Sequence, residues 1–393
     1  MLQEVILTKD FDYDLPDSSI AKFPNPERDS SKLLVVLGEK IQDDVFKNIA
    51  SYLPKNALFV LNDSRVFPAR IHLQRDTGGV IEILLVRALP ENRWLALAKN
   101  SKRWKINETI TKHFSEGLFQ VTLKNIHNTE IEVALYWEPI SWTLEQVLQT
   151  VGEVPLPPYL HRKTTDIDFA RYQTVYAHSI GSSAAPTAGL HFTPDLIARL
   201  SDCGYQFERL TLHVGPGTFL PVKTQTLNQH EMHTEFCSIS IRCLKKLSQF
   251  SPIVAVGTTT LRTLESFYRA ALPLVFNATE PLTVIPQFSD YQYDEKKSPS
   301  YQLVFEALLA YLIQKKLQDF TIQTKLMLVP GMQVHTADYL ITNFHQPQST
   351  LLALVEAFAG KIWNPAYKYA LNQGYRFLSY GDACLFSQKM KSE

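Results

Sequence analysis

Residues 66–75 read VFPARIHLQR, and after the turn DTGG at residues 76–79 the chain continues as VIEILLVRAL at residues 80–89. Further short apolar segments follow it: RWLALAKN at residues 93–100, LFQVTLKN at residues 118–125 and EIEVALYW at residues 130–137. Apolar and polar residues alternate most clearly in the last two segments, and this period of two is typical of half-buried strands. Short strands at this spacing indicate an antiparallel barrel or sandwich. We therefore predict a small all-β domain over residues 66–150.

The sequence on either side of this domain alternates between helical and strand patterns. Residues 43–53 place Val45, Phe46, Ile49 and Leu53 on one helical stripe. The other predicted elements are strands at residues 207–214, 252–256, 326–329 and 339–342, and helices at residues 194–203, 261–271, 301–317, 349–360 and 364–374. Strands alternating with helices predict an α/β domain. We expect it to comprise residues 1–65 and 151–393, with the antiparallel β-barrel inserted between them and a helical insertion at about residues 267–324.

Composition limits the class of protein. The chain has 393 residues with 45% hydrophobic residues, 22 Phe, 17 Tyr and 5 Trp, which argues against disorder. Lys plus Arg and Asp plus Glu are both 39, so the formal net charge is zero and bulk charge cannot drive nucleic-acid binding. The sequence contains no apolar run of the roughly 20 residues that cross a bilayer, and its first residues do not resemble a signal peptide. Its four cysteines are far apart. We expect a cytoplasmic protein with reduced thiols, no membrane association and, because no heptad pattern occurs, a monomer.

Several common catalytic motifs are missing. The sequence contains no G-x-x-x-x-G-K-[ST] phosphate loop and no P-C-x-x-C deaminase motif. Gly215-Pro216-Gly217 lacks the third glycine of a dinucleotide-binding loop. His230 and His233 are three residues apart, whereas the zincin motif H-E-x-x-H separates its histidines by four. We therefore predict no metal site and no cofactor.

Polar residues cluster where predicted strands end. One apolar strand is followed by the polar run Asn62-Asp63-Ser64-Arg65. Another strand ends in residues Thr211–Phe219, which contain a histidine and two glycines. A helix begins with Gly257-Thr258-Thr259-Thr260-Leu261-Arg262. Residues 181–192 are mostly small and end at His191-Phe192, while residues 342–347 and 379–382 add His345 and Asp382. Small residues allow close backbone approach to a ligand, and the carboxyl ends of strands are where α/β sheets bind ligands. For any single histidine, a structural role is about as plausible as catalysis.

Taken together, these segments resemble one enzyme family. The ordered set consists of LPPY at residues 156–159, RYQTVY at 171–176, residues 184–192, 212–219, 257–266, 342–352 and 375–382, with PER at 26–28 and residues 62–70. It is similar to the S-adenosylmethionine:tRNA ribosyltransferase-isomerases of queuosine biosynthesis, and it runs nearly from end to end. The family fold that the resemblance implies is an α/β domain with an inserted β-barrel, which agrees with the pattern of predicted strands and helices.

The resemblance also implies a reaction. The ribosyl part of S-adenosylmethionine is transferred to 7-aminomethyl-7-deazaguanine at the tRNA wobble position and rearranged to epoxyqueuosine, releasing adenine and methionine. S-adenosylmethionine is then a consumed substrate. Its sulfonium acidifies the neighbouring C5′ hydrogens, so a positioned base can act without a metal, and histidine suits proton transfer because its pKa lies near 6.5.

Roles follow from residue chemistry within these segments. We expect His191 and His213 to transfer protons, Asp63 and Asp382 to bind ribose hydroxyls or the sulfonium side, and Arg262 to hold the methionine carboxylate or a tRNA phosphate. The expected substrate-binding residues are Arg65, Thr187, Gly189, Gly215, Gly217, Thr258, Thr259, His233 and His345.

Residues 99–105, KNSKRWK, form the most basic local stretch. On composition alone this is a solvated loop, but a tRNA substrate makes it a candidate phosphate contact through Lys99, Lys102, Arg103 and Lys105, with Trp104 stacking on an unpaired base.

Two alternatives remain open at the level of sequence. An S-adenosylmethionine-dependent RNA methyltransferase is disfavoured because no glycine-rich loop follows an early strand. A non-catalytic RNA-binding protein would leave the polar strand ends unexplained.

Overall fold

The computed structural model describes residues 5–127, 130–215, 221–288 and 298–389. Within these ranges the chain is a mixed α/β protein with a ten-stranded sheet, a seven-stranded sheet and a two-stranded sheet. No helix in the described part of the chain is both long and apolar enough to span a bilayer.

The strands, in chain order, are β1 Lys32–Leu37, β2 Lys40–Val45, β3 Leu58–Asn62, β4 Ser64–Val66, β5 Arg70–Gln74, β6 Val80–Leu89, β7 Arg93–Lys99, β8 Thr109–Phe114, β9 Gly117–His127, β10 Glu130–Glu138, β11 Gly152–Glu153, β12 Ser179–Ser182, β13 Gln206–Leu212, β14 Glu235–Ser240, β15 Ile253–Val256, β16 Val284–Ile285, β17 Asp319–Thr324, β18 Tyr339–Asn343 and β19 Ala383–Ser387. The α-helices are α1 Leu144–Val151, α2 Asp166–Arg171, α3 Pro194–Asp202, α4 Ile241–Gln249, α5 Thr258–Val275, α6 Tyr301–Lys315, α7 Thr350–Ala359 and α8 Trp363–Asn372.

The ten-stranded sheet has the order β16-β17-β14-β13-β3-β15-β18-β19-β1-β2. Its centre is parallel, because β3 pairs in parallel with both β13 and β15, and β15 pairs in parallel with β18. Every residue of β3 and β15 is buried, as expected for central strands covered on both faces. β19 runs antiparallel to β18 and parallel to β1, so segments from distant parts of the chain lie side by side.

The seven-stranded sheet has the order β11-β5-β6-β7-β10-β9-β8, and all its pairs are antiparallel. Alternate residues of β9 and β10 are buried, including Phe119, Val121 and Val133, which confirms the period-two prediction. The sheet curls around this apolar face and packs on α1, but β8 and β11 remain its edges in the hydrogen-bonded order. The predicted barrel is therefore an open half-barrel, and its domain limits of 66–150 stay a prediction.

Two sequence-based assignments in the α/β part were wrong in detail. The helix predicted over residues 43–53 begins only at Phe46 and is a 3-10 helix, Phe46–Tyr52, because β2 pairs with β1 as far as Val45. Phe46, Ile49 and Leu53 are nevertheless buried. Residues 326–329 are buried but belong to no strand; the ladder next to β14 is formed by β17 instead, which alternates exposed and buried residues.

The stretch at residues 267–324 is not one separate insertion in the described ranges. Its first residues continue α5 to Val275, and its last six form β17 in the main sheet. The predicted helix is present as α6, capped by Ser300, whose side chain accepts a hydrogen bond from the Leu303 N–H. Most of its polar segment, residues 289–297, lies outside the described residues.

Predicted helix ends were confirmed where the capping residues were clear. Thr193 caps α3 by accepting a hydrogen bond from the Leu196 N–H, and Gly204 follows the helix with φ +94°. Ser349 caps α7 in the same way through the Leu352 N–H. These caps fix where α3 and α7 begin, and α7 begins beside the sheet edge described next.

Candidate active site

A crevice lies along the carboxyl edge of the parallel strands. β3 is followed by Asp63, β13 by His213 and β15 by Gly257, while β18 ends at Asn343. Asp382 precedes β19 rather than ending a strand, but β19 is antiparallel to β18, so Ala383 pairs with Asn343 and Asp382 lies at the same edge. The predicted convergence of polar strand ends is therefore present in the structure.

Two adjoining pockets occupy this edge. Pocket A is lined by residues that include Thr187, Thr258, Thr259, Asn343, His345 and Ser379. Pocket B is lined by residues that include Gly215, His230, His233, Glu235, Arg262 and Leu354, and it encloses about 1310 Å³ of space, part of it open to solvent. Thr258, Thr259 and Leu351 line both pockets. The amino end of α5 thus forms the border between pocket A and pocket B.

The amino end of α5 brings polar backbone into the crevice. Gly257 precedes the helix with φ +96° and ψ 147°, a conformation that essentially only glycine adopts. The first N–H groups of a helix have no intrahelical acceptor. The Thr259 hydroxyl is buried and has no hydrogen-bond partner among the described residues. This segment is therefore equipped to bind a polar ligand.

Asn343 connects pocket A to His191. Its Nδ2 lies 3.2 Å from His191 Nε2 and 3.4 Å from the Asp382 carbonyl oxygen. A carbonyl can only accept, so Nδ2 is the donor in that contact and Oδ1 is the remaining amide atom. Asn343 Oδ1 is buried without a partner in the described part of the chain. A buried acceptor without a donor is costly, and such atoms in native proteins call for a specific explanation.

His191 lies behind Asn343 and lines neither pocket A nor pocket B. It ends the 3-10 helix Thr187–His191, is 4% exposed, and packs its ring 5.1 Å from that of Phe46. Burial lowers the pKa of His191 from 6.5 to about 3, so the ring is neutral at neutral pH. Since Asn343 Nδ2 donates, His191 Nε2 accepts and its proton is on Nδ1.

His345 does line pocket A. Its Nε2 is 2.8 Å from the Thr342 hydroxyl, and its backbone N–H donates to the Tyr367 hydroxyl at 3.0 Å. Burial lowers the pKa of His345 to about 3 as well. Pocket A is therefore bordered by a neutral imidazole.

Pocket B contains a buried ion pair. Arg262 of α5 pairs with Glu235 of β14, and the other oxygen of Glu235, Oε1, accepts the Gly215 N–H at 3.0 Å. Burial lowers the pKa of Arg262 from 12.5 to about 10. The arginine expected to hold a substrate anion is thus already neutralised by a carboxylate, a partner that the sequence analysis did not identify. His233 is exposed at the rim of this pocket.

His213 and Asp63 lie next to the two pockets rather than within them. Gly181 packs so closely against His213 that a Cβ there would lie 2.8 Å from the ring Nδ1, which is buried and has no partner within the described ranges. Burial lowers the pKa of His213, and the Asp63 charge opposes that shift. Asp63 Oδ1 accepts the Thr211 hydroxyl at 2.7 Å.

Three other predicted site residues have structural contacts. Asp382 accepts backbone N–H groups from Lys32 at 3.0 Å and Arg376 at 2.8 Å, and burial raises its pKa. Arg65 forms a 2.9 Å ion pair with Glu145 outside the pockets. Gly189 is buried against the Tyr176 ring. Gly217 lies outside the described residues.

The basic loop at residues 99–105 is only partly available to a ligand. Lys99 pairs with Glu82 at 2.9 Å, while Lys102, Arg103 and Lys105 are exposed. Trp104 is 3% exposed and donates from Nε1 to the Glu108 carbonyl at 3.1 Å. The expectation that Trp104 stacks on a base was therefore wrong, because its indole is part of the half-barrel core.

A second basic group is formed by three arginines that no local charge pattern marks. Arg28, Arg171 and Arg376 come from three distant segments and donate to backbone carbonyls, those of Leu190, Ala170, Pro26, Asn25, Phe23 and Tyr380. None of the three forms an ion pair with an acidic residue in the described ranges. Arg28 and Arg171 line a small pocket that shares Ser379 with pocket A. No local charge run marks this arginine cluster, so only folding brings it together.

Other residues of pocket A were quoted within motifs but not selected as site residues. They include Tyr159, Asn343, Gln346, Ser349 and Ser379. The sequence signals for Asn343 were its position at the end of an apolar strand and within the segment 342–352 of the family resemblance. Among the described residues, no group of three or more His, Cys, Asp or Glu side chains is arranged to hold a metal ion.

Comparison with known proteins identifies the family. Residues 8–386 match the model of a family described as queuosine biosynthesis protein. The S-adenosylmethionine:tRNA ribosyltransferase-isomerase of Treponema denticola is 37% identical over 97% of this chain and 99% of the relative, and that of Carboxydothermus hydrogenoformans is 38% identical over 96% and 98%. A crystal structure of the S-adenosylmethionine tRNA ribosyltransferase of Thermotoga maritima shares 28% identity, covers 95% of this chain and 99% of its own, and has a TM-score of 0.46. The chain belongs to the queuosine biosynthesis protein family.

Proposed function

We propose that this chain is an S-adenosylmethionine:tRNA ribosyltransferase-isomerase. It transfers the ribosyl moiety of S-adenosylmethionine to 7-aminomethyl-7-deazaguanine at the wobble position of tRNA and isomerises it, which gives epoxyqueuosine-tRNA, adenine and methionine. The observation that carries the proposal is the family match over residues 8–386, together with two relatives of that name that align over nearly the whole chain.

The crevice offers groups that suit this chemistry. The reaction needs a base near the acidified C5′ carbon and a donor for the departing adenine. We propose His213 for proton transfer; His191, the other candidate from the sequence, lines neither pocket A nor pocket B. His213 has a buried ring nitrogen without a partner among the described residues, which favours it as the base, whereas the Nε2 of His191 is occupied by Asn343 Nδ2 and His191 supports the site from behind.

The remaining predicted residues divide between the two pockets. We propose that Thr187, Thr258, Thr259 and His345 contact substrate in pocket A, and that Gly215, His233 and Arg262 do so in pocket B. Because Glu235 neutralises Arg262, the pair offers a donor and an acceptor together, which matches the ammonium and carboxylate of a methionine end. Asp63, Asp382, Arg65 and Gly189 support the crevice through the contacts described above.

A product analysis tests the proposal. Purified protein is incubated with S-adenosylmethionine and tRNA that carries the deazaguanine precursor. We expect adenine and methionine in equal amounts and epoxyqueuosine in the tRNA. S-adenosylhomocysteine with methylated RNA would indicate a methyltransferase, and RNA binding without turnover would indicate a non-catalytic protein; either result contradicts the proposal.

We further propose that the enzyme needs no metal or other cofactor, because the sulfonium itself activates the adjacent carbon. Dialysis against EDTA should then leave the rate unchanged, and a loss restored by a divalent ion would oppose this. A tRNA substrate is consistent with a cytoplasmic location, and we propose that the protein acts as a monomer, which sedimentation equilibrium checks.

We also propose two tRNA contacts. Lys102, Arg103 and Lys105 are exposed on the half-barrel, and the arginine cluster of Arg28, Arg171 and Arg376 adjoins pocket A. Positive side chains that form no ion pair among the described residues attract phosphates, and at zero net charge such local groups supply the electrostatic part of binding.

A further inference from the structure

Pocket A has the character of a nucleobase site. Among the described residues that line it, none carries a formal charge, and the lining includes the small side chains of Ala184, Ala185 and Ala188. The pKa of His345 is about 3, so its imidazole adds no charge at neutral pH. Pocket B, in contrast, contains Glu235 and Arg262. A charged amino-acid group is therefore better matched to pocket B, and an uncharged ring to pocket A.

Two buried polar atoms define what such a ring must present. Asn343 is 2% exposed and its Oδ1 can only accept, so an N–H or O–H of a ligand in pocket A would supply the donor that it lacks among the described residues. Thr259 is 9% exposed, and its hydroxyl can donate to a ligand nitrogen. Adenine presents this combination, because its exocyclic amine donates next to ring nitrogens that accept. In DNA recognition an asparagine Oδ1 likewise accepts the exocyclic amine of adenine, although there the Nδ2 of the same amide donates to N7, a role that the Thr259 hydroxyl would take here.

We infer that pocket A binds the adenine of S-adenosylmethionine, with Asn343 Oδ1 accepting an N–H of the exocyclic amine and the Thr259 hydroxyl donating to a ring nitrogen. The inference rests on the proposed function and assigns the nucleobase half of its substrate. A donor at a ring nitrogen also stabilises adenine as it departs with the electrons of its glycosidic bond.

His191 acts in this arrangement as a positioning residue. Its Nε2 and the Asp382 carbonyl oxygen both face Asn343 Nδ2, so the amide cannot rotate by 180° without placing Oδ1 against two acceptors. The neutral Nδ1–H tautomer of His191 is what makes Nε2 an acceptor. The specificity of pocket A therefore depends on a side chain that does not line it.

Equilibrium binding tests the inference without requiring turnover. Calorimetry compares S-adenosylhomocysteine with S-inosylhomocysteine, in which a carbonyl oxygen replaces the exocyclic amine. We expect the protein to prefer the adenine ligand by roughly 10- to 100-fold, because the 6-oxo group would face the Asn343 oxygen. Asn343→Leu should bring the ratio to within about 3-fold, mainly through weaker binding of the adenine ligand.

A matched control and a second variant complete the test. Asn62→Leu removes another buried amide, whose atoms bond Leu212 and Ser64 away from pocket A, and should leave the preference unchanged. His191→Ala should also reduce the preference, because the freed amide can rotate to serve the 6-oxo ligand. Equal affinities in the unaltered protein, or an unchanged ratio in Asn343→Leu, would overturn the inference while leaving the proposed function intact. If neither ligand binds and no adenine is released from S-adenosylmethionine, the proposed function fails instead.

Discussion

At the scale of single residues, the site is unusual for its buried neutral histidines. His191 and His345 contact groups from distant parts of the sequence, and burial lowers the pKa of each to about 3. In an unfolded chain both would titrate near 6.5. Their folded environments therefore link stability to pH.

We expect the free energy of unfolding to fall as pH decreases from 7 to 5. A histidine whose folded pKa is lowered takes up its proton only in the unfolded state, so stability is present above about 6.5 and is lost towards the folded value near 3. Each histidine should contribute about 2 kcal/mol of loss between pH 7 and 5. Urea denaturation at a series of pH values measures the free energy of unfolding of the unaltered protein and of the double variant His191→Gln, His345→Gln.

The double variant should be less stable than the unaltered protein at pH 7. Its free energy of unfolding should, however, fall much less between pH 7 and pH 5. His127→Gln is the control, because that side chain is 50% exposed on β9. Identical pH profiles for the double variant and the unaltered protein would show that these histidines are not the linked groups.

Gly189 provides a second test at residue scale. A Cβ at this position would lie 2.0 Å from the Tyr176 hydroxyl, which is itself buried without a partner among the described residues. We expect Gly189→Ala to destabilise the protein by about 1–3 kcal/mol through overpacking. Tyr176→Phe alone should be nearly neutral, since it removes an unpaired buried hydroxyl.

The double variant Gly189→Ala, Tyr176→Phe should recover part of the loss, measured as a coupling energy in chemical denaturation. Strict additivity of the two changes would mean that the hydroxyl is not the obstacle. The sequence marked Gly189 as a substrate contact, since small residues suit a ligand; the clash with Tyr176 depends on tertiary packing that no local pattern contains.

At the scale of elements, α5 is the part of the site that the sequence predicted best. The apolar run of β15, the following Gly257 and the three threonines together indicated a strand that leads into a helix end. The extension of α5 to Val275 and the presence of β17 were not predicted, because burial by α6 and pairing with β14 come from segments distant in sequence. Local patterns thus predict where elements begin more reliably than which neighbours complete them.

Gly257→Ala tests the strain at the start of α5. The φ of +96° and ψ of 147° should make alanine cost about 1–3 kcal/mol and shift Thr258 and Thr259 in both pockets. Gly360→Ala is the matched control, because that residue ends α7 with φ +78° and ψ −168° outside both pockets. We expect similar losses of stability by thermal unfolding, but a fall in kcat/KM of at least about tenfold only for Gly257→Ala. Equal kinetics in the two variants would contradict a role for this helix end.

At the scale of the whole molecule, the two large sheets carry different features of the candidate site. The ten-stranded sheet forms the crevice, whereas the half-barrel carries exposed Lys102 and Arg103. Fold class and the convergence of strand ends were predictable because periodicity and strand direction determine them. Three other features could not be predicted, because each joins residues that are separated in sequence. They are the pairing of Arg262 with Glu235, the burial of Trp104 and the arginine cluster.

Charge reversal tests the half-barrel contact. Lys102→Glu with Arg103→Glu should weaken tRNA binding and reduce the slope of log Kd against log salt by roughly 1 for each lost phosphate contact. Lys315→Glu with Lys316→Glu at the end of α6 changes the net charge equally and should leave the slope as it is. Filter binding over a salt series measures both, and an unchanged slope in the first variant would assign tRNA binding to other residues such as the arginine cluster.

The position of β19 also has a consequence for how the protein is made. This strand follows every other described strand of the ten-stranded sheet in the sequence, yet it lies inside that sheet with β18 on one side and β1 on the other. On the ribosome, a nascent chain that ends before residue 379 lacks both this strand and the Asp382 carbonyl that holds Asn343. Synthesis that stops before β19 therefore leaves the crevice without one of its strands and without the carbonyl that orients Asn343.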